Sequence, residues 1–124
     1  MKKPVVTRKQ VIAYVEKYIE VVEKYYGESK HQKTTPYITL SSIIEDDIKG
    51  EYCYIFNEII IYWKNICSLE ELIRTLIHEY QHYLQSPSWM TRYYRMGYNY
   101  SNHPYEIAAD KEEENWKIIW EQAL

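Results

Sequence analysis

Long apolar runs, cysteine, phenylalanine and excess positive charge are all scarce in this 124-residue chain, and each shortage excludes something. No run approaches the ~18 apolar residues that a membrane-crossing helix needs, and the N-terminal MKKPVVTRKQ lacks the apolar centre of a secretion signal. The expectation is a protein without a membrane partner, cytoplasmic or otherwise intracellular. A formal net charge of −3 and a pI near 5.8 leave no basic stripe for a nucleic-acid backbone. Cys53 and Cys67 are not in CxxC spacing, so they read as free buried thiols in a reducing compartment rather than a disulfide or zinc ligands. A single Phe stands against 15 Tyr and 4 Trp, which we read as codon bias rather than an adaptable aromatic binding surface.

What is present suits one globular domain over residues 1–124. Hydrophobic residues are 46% and charged residues 27% of the chain, enough for a single core without staples. Thr7 with Gln10 three residues on forms a capping box, and Gly27 is a fitting residue to end the helix between them. Val11, Tyr14, Val15, Tyr18, Val22, Tyr25 and Tyr26 recur on one side of that helix, with charges of both signs opposite. Residues 28–36 read as a loop containing a solvated His31. The pattern then turns β-like, through Tyr37–Leu40 with Ile43–Ile44, Glu51–Phe56 and Glu58–Trp63, the last two hinged near Asn57. Residues 86–102 suggest a short helix near Trp89 to Met96 followed by a loop, or equally a lining of the cleft. A final helix starts at Asn102 or His103 and runs through Trp120. The fold class is therefore α+β: an N-terminal helix, a small three-stranded sheet and two further principal helices.

The stretch from Ser68 to Gln85 carries the chemistry. Ser68 and Glu71 suggest a capping box, and no Pro or Gly interrupts the run before Pro87. Leu69, Leu72, Ile73, Leu76, Ile77, Tyr80, Tyr83 and Leu84 form one apolar stripe, leaving Thr75, His78 and His82 on the other side to face a cleft. His78-Glu79-Tyr80-Gln81-His82 is an HExxH motif. At roughly 100° per residue the two histidines lie about 40° apart on one helix face. Two imidazoles so placed can reach one Zn²⁺ ion, and Glu79 sits where a general base can touch a water without ligating the metal. A catalytic zinc takes three protein ligands, and Glu106 is the candidate for the third. Asp110, four residues on and on the same face, is placed to accept the N–H of a zinc-bound histidine. Ala108 and Ala109 let this helix come close to the motif helix, while Glu112, Glu113 and Glu114 read as a solvated acidic run.

With HExxH followed by Glu106-Ile107-Ala108-Ala109-Asp110, the chain resembles the gluzincin metallopeptidases, the thermolysin-like group, and most of all its compact minigluzincins. The resemblance covers the order of elements over most of the chain, with identity only at the motif residues. It implies a minimal zincin fold, one Zn²⁺ held by His78, His82 and Glu106, and peptide-bond hydrolysis with Glu79 as general base acting on a metal-activated water. It implies a peptide or protein substrate laid along the rim of the cleft, for which the Glu51–Trp63 hairpin is the expected edge. His103, Tyr98, Tyr100 and Tyr105 are candidate oxyanion donors among which the sequence does not choose. A SprT-like protease also carries HExxH, but the zinc-ribbon CxxC and basic patch are missing here. Two other functions compete: a catalytically silent zinc-binding interaction module on the same fold, and a helical interaction protein with a coincidental motif.

Overall fold

The computed structural model describes residues 6–44 and 46–124, so the first five residues of the expected domain and Glu45 lie outside the described residues. Helix α1 spans Arg8–Tyr26. Its start is fixed by the expected box: Thr7 Oγ1 accepts the Gln10 N–H at 3.2 Å, and Gln10 Oε1 accepts the Thr7 N–H at 2.9 Å. Gly27 ends it with φ +81°, a conformation that costs a side-chain-bearing residue more. Val11, Val15, Tyr18 and Val22 are its buried stripe.

Three strands follow: β1 (Tyr37–Ser41), β2 (Gly50–Cys53) and β3 (Glu58–Tyr62). Their spatial order is β1-β3-β2, with β3 parallel to β1 and antiparallel to β2. The central strand buries Ile59 and Ile61 and turns its alternate residues the other way, as the two-residue strand period requires. Ile43 and Ile44 are not part of the first strand; they are exposed beyond its end. The expected second strand is cut short because residues 54–57 form the turn after it, and the third ends at Tyr62 because Trp63 enters a 3₁₀ turn. Asn57 takes φ +48° there, its side-chain amide donating to Thr34 O at 2.9 Å and its Oδ1 accepting the Tyr52 hydroxyl at 2.8 Å.

Helix α2 (Leu69–Leu84) is the axis of the molecule. Leu72, Ile73, Leu76, Ile77, Tyr80 and Tyr83 are buried among α1, β3 and Ile119 of the last helix. Tyr80 also donates its hydroxyl to Gly27 O at 2.5 Å. The capping box at its start is half formed. Ser68 Oγ accepts the Glu71 N–H at 3.1 Å, but the Glu71 carboxylate reaches one residue further back, to the Cys67 N–H at 2.7 Å. The side of α2 expected to face a cleft does so at Thr75 and His78, but it is little exposed: Thr75, His78, Glu79 and Gln81 are all buried, because β2 and the C-terminal helices pack against it.

Helix α3 (Pro87–Arg95) and helix α4 (Pro104–Glu112) come next, then a 3₁₀ turn at Glu113–Asn115 and helix α5 (Trp116–Gln122). The single C-terminal helix expected through Trp120 is thus broken at residue 113. The fold is α+β. Cys53 and Cys67 are unpaired, as expected, though half-buried rather than buried. No helix among the described residues is long and apolar enough to cross a membrane.

Candidate metal centre

His78 and His82 project from α2, one turn apart, toward the first turn of α4. That turn is anchored by His103, whose Nδ1 accepts the Tyr105 N–H at 3.1 Å and so caps α4, with Pro104 next in the first helical turn. Glu106 follows in the first turn, where a carboxylate also suits the positive end of the helix. Ala109 is fully buried at the approach of α4 to α2; Ala108 is exposed and plays no part in it.

The result is a triangle of ligand-type atoms. Glu106 Oε1 lies 3.0 Å from His78 Nε2 and 3.0 Å from His82 Nε2, and the two Nε2 atoms are 3.2 Å apart. Each imidazole uses its other nitrogen elsewhere. His78 Nδ1 is 2.8 Å from Glu113 Oε2 and 3.2 Å from Asp110 Oδ1, and His82 Nδ1 is 2.7 Å from Gln85 Oε1. Gln85 donates its own amide to Tyr105 O at 3.1 Å, so its oxygen faces His82 as an acceptor. Both Nδ1 atoms therefore carry hydrogen, and in the neutral tautomer both Nε2 lone pairs point at Glu106.

Three acceptors at that spacing repel unless something positive sits among them: a proton on each Nε2, or one metal cation. Protons suit the charges around the rings. Burial works to lower the pKa of His78, but the carboxylates of Glu106 and Glu113 outweigh it and raise it to about 10. His82 is raised for the same reason, with burial opposed by Glu106. Burial would push Glu106 up, yet the two imidazoles hold it down at about 2. A cation fits equally well. In a tetrahedral zinc site with ligand distances of about 2.0–2.1 Å, ligand atoms stand about 3.3 Å apart. The observed 3.0, 3.0 and 3.2 Å edges match three corners of such a site. Two neutral imidazoles and one carboxylate are also a donor set that zinc accepts.

Glu79 is beside the triangle and not part of it. A carboxylate oxygen of Glu79 and one ring nitrogen from each histidine lie within 4.8 Å of one another. The side chain is only 7% exposed, and that burial pushes its carboxyl up to about 7 against the pull of His78 and His82. A carboxyl titrating near neutrality can both take and return a proton.

Of these residues His78 and Glu79 line a cleft of about 620 Å³, whose other walls are Asp47 to Glu51, Thr75, Tyr100, Asp110 and Glu113; His82 and Glu106 lie behind it. The rim is the edge strand β2 and the loop before it. The β3 half of the expected hairpin rim is the centre of the sheet, and Trp63 stands in a 3₁₀ turn away from the cleft. Gly50 brings β2 close to α2: a Cβ there would lie 2.6 Å from Thr75 Cγ2 and 3.3 Å from Glu79 Cγ.

The four candidate oxyanion donors separate clearly. Tyr100 lines the cleft, largely exposed, and partial loss of solvation together with Glu106, Glu79 and Asp110 raises its phenol, so it stays a proton donor. His103 does not serve. It is fully buried, with Nδ1 capping α4 and Nε2 3.0 Å from Met90 O, which leaves no free nitrogen. Tyr98 and Tyr105 pack edge-on against Tyr93 and do not line the cleft. Two residues at the centre escaped the sequence reading. Gln85 had a signal, standing three residues after His82 at the end of the same helix. Glu113, expected within a solvated run, is half-buried against His78.

Comparison of the chain with protein-family models, with curated proteins and with solved structures found no significant match to any of them.

Proposed function

We propose that the chain is a zinc-dependent peptidase of the gluzincin type, with His78, His82 and Glu106 as ligands and Glu79 as general base. The observation that carries the reading is the triangle of His78 Nε2, His82 Nε2 and Glu106 Oε1 with edges of 3.0 to 3.2 Å, beside a buried carboxyl and under an edge strand. A zinc ion held there would supply Lewis acidity and make water acidic enough to lose a proton near pH 7. Glu79 is placed to take a proton from water as the water oxygen bonds to the carbonyl carbon, and to return it to the amide nitrogen as the C–N bond breaks. The Tyr100 hydroxyl donates a hydrogen bond to the carbonyl oxygen as charge develops on it. The outer edge of β2, with no strand beyond it among the described residues, offers backbone groups to an extended peptide.

A silent zinc-binding module is favoured by one observation: Tyr100 is 68% exposed on the segment between α3 and α4, a loosely held donor. One experiment separates the readings. The untagged chain is expected to carry about one zinc, lost in His82→Ala and Glu106→Ala. Against an unfolded protein substrate, Glu79→Gln is expected to keep its zinc and lose cleavage by a factor of ~10² or more. Zinc in the wild type with no cleavage leaves the module; no zinc after reconstitution ends both.

A further inference from the structure

The polar contacts around His78 are not what a Glu-x-x-x-Asp pattern leads one to expect. The residue four after Glu106 is Asp110, and its Oδ1 stands 3.2 Å from His78 Nδ1. The closer partner comes from three residues further on: Glu113 Oε2 lies 2.8 Å from the same nitrogen and makes the hydrogen bond. The two carboxylates are also buried differently. The Glu113 side chain is 24% exposed and that of Asp110 69%, so Asp110 interacts through water to a degree that Glu113 does not. Helical spacing allows the exchange. Seven residues on from Glu106, Glu113 lies about 700° round, on the same face and two turns further along the axis. The 3₁₀ turn that begins at Glu113 packs onto the motif helix.

We infer that Glu113, rather than Asp110, is the positioning residue for the metal ligand His78, accepting its Nδ1–H so that the Nε2 lone pair stays aimed at the site. This rests on the zinc reading above. A carboxylate in that place fixes the imidazole tautomer and makes the ring a stronger donor to a metal. It mirrors the neutral Gln85 behind His82, so one ligand is backed by a full charge and the other by an amide. The charge is the part that can be tested, because glutamine keeps the shape and an acceptor oxygen while losing it.

The test measures zinc affinity of the full-length chain by chelator competition, together with the visible spectrum of the cobalt-loaded protein. Glu113→Gln is expected to weaken zinc binding ~10–100-fold and to shift the cobalt bands, Glu113→Ala at least as much. Asp110→Asn is expected to weaken it by under ~3-fold, given its exposure. Glu114→Gln, in the same turn but exposed, controls for general charge loss and is expected to change nothing. Thermal unfolding of each metal-free variant separates misfolding from lost affinity. Zinc binding in Glu113→Gln equal to the wild type, or a larger loss in Asp110→Asn, overturns the assignment alone. A wild type that binds no zinc overturns it together with the metal reading.

Discussion

At the scale of single residues the site depends on what is small as much as on what is charged. Gly50 has ordinary space on neither side: its absent Cβ would meet Thr75 Cγ2 at 2.6 Å, Ile60 O at 3.2 Å and Glu79 Cγ at 3.3 Å. The Thr75 methyl is on a β-branched side chain whose Oγ1 is held to Glu71 O at 2.7 Å, so it cannot swing clear. Gly50→Ala is therefore expected to destabilise the fold by about 1–3 kcal/mol, read from urea midpoints, by pushing β2 off the motif helix. Thr75→Ser removes the methyl and keeps the hydroxyl, so the double variant should recover part of that loss. Additive effects in the two single variants would show that the contact with Thr75 is not the cause. Residues of this kind set the limit of what could be read beforehand. The side-by-side placement of His78 and His82 was legible because residues four apart share one face of a helix. Glu113 was harder to read: it falls on the face of Glu106 at helical period, but a run of three glutamates looks the same whether or not one of them turns inward.

At the scale of elements, the amphipathic stripes of α1 and α2, the capping box of Thr7 and the presence of three strands follow from local patterns and were legible; the β1-β3-β2 order of those strands was not. Nor was the C-terminal break. Lys111 to Trp116 contains neither Gly nor Pro, and it is packing of the 3₁₀ turn and of Ile119 against α2 that makes the chain tighten there. His103 shows the same limit in reverse. Its place just before a Pro marked it as a helix cap, while a role at the cleft was an equal possibility until the contacts to Met90 and Tyr105 were seen. Those contacts make it the fastener between α3 and α4, with the Tyr94 ring 4.5 Å from its own. His103→Ala should cost about 2–4 kcal/mol, from a lost cap and a buried carbonyl left without its donor. His103→Asn should restore the cap alone and recover about 1 kcal/mol of it. Unfolding by denaturant measures both. Stability of His103→Ala equal to the wild type would remove His103 from the account of how α4, and with it Glu106, is held.

At the scale of the whole molecule, the two halves of the centre come from opposite sides of a long excursion. His78 and His82 belong to the central helix, whose apolar side is fixed by α1 and β3, whereas Glu106 arrives only after α3 and the exposed segment at residues 97–102. Apart from Ala109, the part of α4 that is buried is Glu106 itself, and its hold on α2 is polar. A cation shared by the three ligands would thus join a firmly packed half to a weakly packed one, and anything that binds only the folded state raises stability by mass action. At free zinc about 100 times the dissociation constant the gain is about 2.7 kcal/mol, which for a domain of this length raises the melting temperature by roughly 10 °C. The shift should vanish in His82→Ala. Magnesium and calcium should not reproduce it, since hard cations prefer oxygen ligands to imidazole. Amide exchange should place the added protection in α4 and α5 rather than in α1, whose core needs no metal. An equal shift in His82→Ala, or protection gained uniformly along the chain, would mean that zinc binds elsewhere on the surface and that the triangle of His78, His82 and Glu106 is held by protons.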